Sequence, residues 1–174
     1  MLKISFPSLS FPRKRESSGR VILYLIVLTV INSACFKINS QELPKGAIQV
    51  LPENIKWVDA PPPLPQGSKI AVLEGNPKEE NFFTIRVMLP AYYKIPAHWH
   101  PKDERVTVLE GVVYVGFGDK TDTTNASKFT EGCFYVNPKE SNHYLFTQAE
   151  GCVLQISGIG PWGITYVEDV KVNE

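Results

Sequence analysis

The feature that most limits the fold is a series of short apolar segments, separated by turn residues, that begins at Lys69. In one of them Phe83, Ile85, Val87 and Leu89 occupy alternate positions, which is the pattern of a β-strand with one buried face. No stretch after Lys69 repeats its apolar residues with a helical period. Many short strands with frequent turns predict an all-β barrel or sandwich. The predicted strands are Ile70–Leu73, Phe82–Leu89, Arg105–Leu109, Val112–Phe117, Cys133–Val136, His143–Thr147, Val153–Ile156 and Ile164–Val167.

The first 34 residues differ from the rest in charge and hydropathy. A basic cluster, Arg13-Lys14-Arg15, precedes an apolar run of 11 residues, Val21–Ile31, and small or polar residues follow up to Cys35. This order is typical of a secretory signal, and the run is shorter than the roughly 20 residues that a membrane-spanning helix needs. We predict that residues 1–34 are a signal peptide or membrane anchor and that the chain is exported to the periplasm. A lipoprotein signal with the lipid on Cys35, and a structural helix, are the alternatives.

The remaining residues divide by composition into two parts. Residues 35–66 are rich in proline, and each proline fixes φ and removes a backbone donor, so we predict an extended arm or a flexible linker. Trp57 is a candidate anchor for this arm. Residues 67–170 contain the apolar segments and are predicted to form the barrel. A chain of 174 residues allows one such domain.

The charge balance limits the partners of the chain. Residues 35–174 contain 13 basic and 17 acidic side chains, and no basic cluster follows Arg20. A nucleic-acid-binding surface requires such a cluster, so we expect no nucleic-acid partner. We also expect no contact with a membrane beyond the N-terminal segment.

The three histidines suggest a metal site. If residues 98–104 are extended, His98, His100 and Glu104 share one face of the chain, and His143 begins another predicted strand. Three imidazoles and one carboxylate suit Fe(II), Mn(II), Ni(II), Zn(II) or Cu(II). The alternative is that His98 and His100 are a surface pair and that His143 is an ordinary core residue.

Two motifs resemble the signatures of the cupin superfamily. They read His98-x-His100-x3-Glu104-x6-Gly111 and Gly132-x5-Pro138-x4-His143. The resemblance implies a double-stranded β-helix, or jelly-roll, barrel with one divalent transition metal bound by His98, His100, Glu104 and His143. It extends to small, single-domain, RmlC-like bacterial cupins that are often exported, through segments such as Gly158–Tyr166.

The chain departs from these signatures at turns and strand ends. Tyr92 and Glu140 stand where the signatures usually have glycine, and Thr147 stands where the second usually has asparagine. The departures leave the four ligand positions intact.

Other side chains are candidates for a role beside the metal. Arg86 interrupts an apolar strand and could clamp a substrate carboxylate, or it could lie on an exposed face. Tyr114 or Tyr135 could donate a proton, or could pack by its ring alone. Trp99, between two histidines, is expected to point away from them. Trp162 is expected to close a barrel edge or a subunit contact.

Three phenylalanines and two cysteines are assigned by their positions. Phe129, Phe134 and Phe146 are predicted to lie in the core. Cys133 and Cys152, on neighbouring predicted strands, could form a disulfide in an oxidising periplasm or remain buried free thiols.

Two classes of function are consistent with these residues. The first is a metal-dependent enzyme, such as a dioxygenase or an isomerase, acting on a small organic molecule in the cell envelope. We expect such an enzyme to enclose a dry pocket of a few hundred Å³ beside the metal. The second is a non-catalytic module that binds or senses a small ligand or a metal, for which we expect a narrow or flooded pocket. The resemblance to cupins, whose barrels often pair by their edge strands, implies a homodimer in either case, and pairing would cover exposed edges.

Overall fold

The computed structural model describes residues 42–168. The predicted signal peptide or anchor at residues 1–34 lies outside this range, and so do the start of the proline-rich segment and the last residues of the predicted barrel. Residues 42–45 belong to one unit, and residues 46–168 belong to a second unit that contains every element named below. No helix in the described range is long and apolar enough to cross a membrane.

Within residues 42–168 the chain forms ten β-strands and one short 3-10 turn, Pro52–Asn54. The strands are β1 (Val58–Asp59), β2 (Lys69–Glu74), β3 (Phe82–Leu89), β4 (Lys94–Trp99), β5 (Glu104–Phe117), β6 (Ser127–Thr130), β7 (Phe134–Asn137), β8 (His143–Phe146), β9 (Cys152–Ile159) and β10 (Thr165–Tyr166).

The strands form one antiparallel sheet that curls into a jelly-roll barrel. Their order is β1-β2-β3-β9-β5-β8-β4-β10, and β6 and β7 each pair with β5. The first half of β5 pairs with β7 and β9, whereas its second half pairs with β6 and β8. The long strand β5 therefore belongs to both faces of the barrel and joins them. The predicted all-β fold class is confirmed.

Strand β5 changes from one face to the other near Gly111. The pairing register shifts between Val108 and Glu110, and Gly111 has a φ of 74°. A Cβ at this position would overlap the carbonyl oxygen of Gly151. The two strands predicted at residues 105–109 and 112–117 are thus one strand of 14 residues, because a bulge and a glycine bend a strand without ending its pairing.

The alternation predicted for β3 is confirmed. Side chains at alternate positions from Phe83 to Leu89 are buried, and those between them are half buried on the outer face. Strand β9 pairs with β3 along its whole length. It adds Leu154 and Ile156 to the same core. The barrel interior is therefore apolar on this side, and the site described below opens onto it.

Two of the three phenylalanines predicted in the core are placed as expected. Phe146 is buried, and Phe129 is half buried and packs against the core. The assignment of Phe134 is wrong, because its side chain is 58% exposed. Burial alternates along β7, and the inward positions are those of Tyr135 and Asn137, so Phe134 lies on the outer face.

The proline-rich segment contributes to one edge of the barrel. Strand β1 pairs with β2, with Val58 opposite Ile70. Leu64 is buried in the core, and Trp57 is half buried. The boundary at residue 67 between arm and barrel stays a prediction.

Cys133 and Cys152 are free thiols in the structure. Cys152 is buried, and its burial raises the pKa of the thiol to about 12. Cys133 is half buried. The structure therefore contains no disulfide between them. The alternative of buried free thiols is confirmed for Cys152, whereas Cys133 is free but only half buried.

Candidate metal centre

Two of the predicted ligands, His98 and His143, face each other on neighbouring strands. They are paired residues of β4 and β8. In β4 the register shifts between Ile95 and His98, and Ala97 and His98 are both buried. A bulge of this kind turns the following side chain to the other face of a strand. It therefore directs His98 into the barrel, where it meets the first side chain of β8.

His100 completes a compact group of three imidazoles. One ring nitrogen of each of His98, His100 and His143 lies within 4.8 Å of the other two, and all three side chains are buried. The condition under which His98, His100 and Glu104 would share one face of a strand, an extended chain over residues 98–104, is not met. Strand β4 ends at Trp99, and the chain bends at Pro101 and Lys102 before β5 begins. The surface-pair alternative for His98 and His100 is wrong.

Glu104, the fourth predicted ligand, begins β5 beside this group. Its Oε2 atom lies 3.5 Å from Nε2 of His100. The donors that all lie within 4.8 Å of one another are those of the three histidines. The role of Glu104 as a metal ligand therefore stays a prediction.

Backbone carbonyl groups fix the tautomer of each histidine. The Nδ1 atoms of the three rings lie 2.7, 2.7 and 2.9 Å from the carbonyl oxygens of Pro96, Gly163 and Ser141, respectively. A carbonyl oxygen only accepts hydrogen bonds, so each Nδ1 carries the proton and donates it. Each neutral ring therefore has its lone pair on Nε2, which is the arrangement that metal-binding histidines use.

The inward nitrogens of two histidines have no partner in the described part of the chain. Nε2 of His100 and Nε2 of His143 are buried and form no hydrogen bond there. Nε2 of His100 also faces the carboxylate of Glu104, so two acceptors stand 3.5 Å apart. Buried acceptors in this arrangement are costly unless a cation joins them. Three imidazoles and a carboxylate suit a divalent transition metal, so the buried histidine cluster could hold a metal ion.

Two hydrogen bonds hold the carboxylate of Glu104. Asn137, opposite Glu104 in the pairing of β5 with β7, donates from Nδ2 to Oε2 over 2.9 Å. Trp162 donates from Nε1 to Oε1, also over 2.9 Å. The indole of Trp162 stacks on the ring of His100 with centroids 5.7 Å apart and an interplanar angle of 15°. Among residues 42–168 no lysine or arginine pairs with this carboxylate.

The electrostatics of the cluster favour neutral rings at His98 and His143 and an ionised carboxylate at Glu104. Burial, reinforced by the neighbouring His143 and His100, lowers the pKa of His98 to about 3. Burial also lowers the pKa of His143. For Glu104, burial would raise the pKa, but His100, His143 and the amide of Asn137 together lower it below its usual value. These are the protonation states in which the side chains can bind a metal.

A cavity of about 20 Å³ lies beside the histidine cluster and is lined by His98, His100 and Glu104. Aliphatic side chains such as Val87, Leu89 and Leu154 form most of its wall. This volume holds one water-sized ligand. The cavity is therefore smaller than the few hundred Å³ expected of an enzyme, and it matches the narrow pocket expected of a binding module.

Tyr135, one of the two candidate proton donors, lines this cavity. Its side chain is buried, and its hydroxyl group has no hydrogen-bond partner among the described residues. Burial, and secondarily the charge of Glu104, raises the pKa of this phenol well above its usual value. The hydroxyl group therefore stays protonated and is free to donate a hydrogen bond to a ligand.

Arg86 and Tyr114 lie outside the site. Arg86 is on the outer face of β3, where Nε donates to Oε1 of Gln155 over 3.3 Å. The hydroxyl group of Tyr114 donates to Oε1 of Gln148 over 3.2 Å at the surface. The clamp role for Arg86 and the proton-donor role for Tyr114 are therefore wrong.

Trp162 and Asn137 are site residues that the sequence did not reveal. Trp162, which the sequence predicts at a barrel edge or a subunit contact, lines the cavity and donates a hydrogen bond to Glu104. The one sequence signal that could have pointed to Trp162 is the occurrence of a large indole side chain in a turn-rich segment, Gly160–Gly163. The role of Asn137 depends on strand register, which no local pattern shows. Trp99 lines no part of the cavity, as expected.

Most of the chain matches a known family. The profile of DUF4437, a domain of unknown function, matches residues 43–161. The chain belongs to the DUF4437 family. No curated protein matches this DUF4437 sequence with significance.

Solved structures similar to this DUF4437 protein share the barrel. The polyketide cyclase RemF from Streptomyces resistomycificus is 15% identical with a TM-score of 0.61, over 72% of this chain and 89% of that one. A sugar phosphate isomerase of the cupin superfamily from Silicibacter pomeroyi is 17% identical with a TM-score of 0.53, over 70% and 82%. An RmlC-like cupin from Shewanella frigidimarina is 17% identical with a TM-score of 0.50, over 63% and 87%. The likeness shows the fold, and the expected cupin-type jelly-roll barrel is confirmed.

Proposed function

We propose that this DUF4437 protein holds one divalent transition metal (Fe, Mn, Zn, Ni or Cu) and acts on a small organic molecule in the cell envelope. His98, His100 and His143 bind the metal through Nε2, and Glu104 is the fourth ligand. The observation that carries the proposal is the set of three Nδ1–carbonyl contacts, which leave buried Nε2 lone pairs directed inward. A bound metal supplies Lewis-acid or redox chemistry at a position open to the ligand.

The residues around the histidines define how a ligand is held. The aliphatic wall of the cavity excludes water, and the hydroxyl group of Tyr135 donates a hydrogen bond to a polar atom of the ligand. Because its pKa is raised, Tyr135 orients the ligand rather than transferring a proton. Proteins of similar fold include a polyketide cyclase and a sugar phosphate isomerase, which supports chemistry on an organic molecule as the class of reaction.

A second candidate function is non-catalytic binding or sensing of a small ligand or metal. The cavity of about 20 Å³ favours it, because an enzyme that fully encloses an organic substrate needs more room. The two candidates differ in one observable. Metal-loaded enzyme converts a substrate over many turnovers, whereas a binding module only saturates.

Metal analysis of the purified full-length chain tests the proposal. We expect about one transition-metal ion per chain, and a His98→Ala/His143→Ala double variant without metal. The matched control is an Arg86→Ala/Tyr114→Phe double variant, which changes polar groups outside the site and retains the metal. A folded wild-type protein that is free of metal and refuses reconstitution would contradict the proposal.

Export is proposed from the N-terminal sequence. The basic cluster and the apolar run at residues 13–31 support a signal peptide or an anchor. We expect the protein in the periplasmic or membrane fraction of bacterial cells, with residues 1–34 removed if the signal is cleaved. Recovery of an intact N-terminus from the cytoplasm would overturn this part of the proposal.

A homodimer is proposed through strand β7. Among the described strands β7 pairs only with β5, and its outer face exposes Phe134 by 58% and Val136 by 36%. Pairing of two copies would cover this edge. Light scattering should give the mass of two chains for the wild type and of one chain for a Phe134→Ser/Val136→Ser variant. A monomeric wild type would refute it.

A further inference from the structure

A second cavity lies next to the cavity beside the histidines and shares part of its wall. This cavity, the outer cleft, has a volume of about 150 Å³. Three residues line both the outer cleft and the inner cavity, namely Leu64, Trp162 and Ile164. These side chains are therefore the wall between the two spaces.

We propose that the outer cleft binds the body of the ligand and that Leu64 and Ile164 select which ligands reach the metal. The inference rests on the proposed metal centre and gives its ligand a chemical class. The ligand is a small, mainly apolar molecule with one oxygen or nitrogen donor at one end. Its donor occupies the inner cavity of about 20 Å³, and its apolar body occupies the outer cleft.

The chemistry of the outer cleft supports an apolar ligand body. Its walls include the proline run Pro61–Pro63 and Pro77, which offer no backbone N–H group, and the aliphatic side chain of Ile70. Lys78 is the one charged residue among those that line the cleft, and it is exposed. Removing apolar ligand surface from water is the main gain available in such a cleft.

Trp162 is the fixed member of the wall. Its Nε1 atom donates to Glu104, its backbone N–H donates to the carbonyl oxygen of Pro77 over 2.6 Å, and its ring stacks on His100. Moving this side chain would break contacts with the proposed ligands of the metal. A ligand that passes the wall therefore displaces Leu64 and Ile164.

Leu64 and Ile164 are suited to be displaced because their aliphatic side chains form no hydrogen bonds. The backbone around Leu64 is fixed, since Pro63 accepts a hydrogen bond of 2.8 Å from the hydroxyl group of Tyr166 and Pro65 accepts one from Tyr93. Rotation of the two aliphatic side chains, rather than movement of a loop, is then the motion that joins the inner cavity to the outer cleft.

Binding of two matched probes to the cobalt-loaded, full-length protein tests this inference. Imidazole and 4-phenylimidazole present the same nitrogen donor and differ by one apolar ring. Their binding shifts the visible absorption of the bound Co(II), from which a Kd follows for each probe. Two variants, Leu64→Ala and Ile164→Ala, open the wall by shortening a side chain; Ile164 is half buried, so its substitution is the better tolerated of the two. A third variant, Ile164→Trp, closes the passage with a larger side chain. Ile48→Ala, at an exposed isoleucine that lines neither space, is the matched control.

We expect both alanine variants to lower the Kd of 4-phenylimidazole at least tenfold more than the Kd of imidazole, because the imidazole ring also exceeds the inner cavity of about 20 Å³ but does not extend into the outer cleft. Ile164→Trp should raise the Kd of 4-phenylimidazole at least tenfold, and Ile48→Ala should change neither. A crystal structure of Leu64→Ala with 4-phenylimidazole should place the phenyl ring in the outer cleft. An unchanged ratio of the two Kd values in both alanine variants, or a phenyl ring elsewhere, would overturn the inference.

The two proposals fail in different ways. If Co(II) does not bind to the wild type, or binds equally well to His98→Ala/His143→Ala, the metal centre is refuted and the inference falls with it. If Co(II) binds at the histidines but the ratio of the two Kd values is the same in the alanine variants as in the wild type, the metal centre stands. The proposal for the outer cleft is then refuted on its own.

Discussion

Between residues 42 and 168, two residues other than glycine adopt a backbone conformation that usually belongs to glycine. Tyr92 and Glu140 have φ angles of 57° and 58°, and they stand where cupin signatures usually have glycine. Each is held by a backbone hydrogen bond of 2.8 Å, from Tyr92 to Gln148 and from Glu140 to His100. The two turns therefore keep the geometry of the cupin signatures without glycine, and the backbone at Tyr92 and Glu140 is strained as a result.

Glycine at position 92 should stabilise the protein relative to alanine at the same position. A residue with a Cβ is destabilised by roughly 1–2 kcal/mol in the left-handed region. Replacing it by glycine removes this strain, but the greater conformational freedom of glycine in the unfolded chain offsets part of the gain. We expect Tyr92→Gly to be about 1 kcal/mol more stable than Tyr92→Ala, measured by urea denaturation. The alanine variant controls for loss of the tyrosine side chain, which is 77% exposed. Equal stabilities of the two variants would show that position 92 is not strained.

The two cysteines that the structure describes, Cys133 and Cys152, should differ in reactivity. The thiolate is the reactive form, and burial raises the pKa of Cys152 to about 12, so this residue is a protonated thiol at pH 8. We expect iodoacetamide at pH 8 to modify the half-buried Cys133 in native protein and to leave Cys152 unmodified, as read by peptide mass spectrometry. Both should react in urea. Equal rates in native protein would contradict the burial of Cys152.

At the scale of elements, hydrophobic alternation located the strands that follow a simple pleat and missed those that do not. Strand β3 was predicted with its observed ends. Strand β4 was not, because its bulge places Ala97 and His98 on the same side and breaks the alternation. Strand β6 was also missed, since Phe129 is its one large apolar residue. Strand β5 was divided in two because Gly111 has the appearance of a turn in the sequence and acts as a bend in the structure.

The bend in β5 gives a sharp prediction. Gly111→Ala would place a Cβ against the carbonyl group of Gly151 in addition to straining the backbone, so we expect a loss of about 3 kcal/mol or more in unfolding free energy. Gly132 is the matched control, because its φ is 82° but no atom lies within 4 Å of its Cβ position. Gly132→Ala should cost about 1 kcal/mol. Similar losses in urea titrations would refute the role of the bend.

At the scale of the whole molecule, the candidate metal centre joins segments that are far apart in the chain. The spacing of the histidines, together with the resemblance to the two cupin signatures, nominated His98, His100, Glu104 and His143, and the structure brings them together. The partners that orient them come from Gly163, Trp162 and Asn137, and depend on register and loop packing. The volume of the inner cavity depends on how the whole barrel packs, so it could not be predicted from any motif.

The most direct test of the central claim is a crystal structure of the metal-loaded protein, with anomalous diffraction recorded at the absorption edge of the metal found by elemental analysis. The account predicts one anomalous peak inside the barrel, about 2.0–2.2 Å from Nε2 of His98, His100 and His143 and from a carboxylate oxygen of Glu104. The three Nδ1 atoms should keep their contacts with backbone carbonyl groups. A peak elsewhere, or no peak in protein that retains the fold, would contradict it.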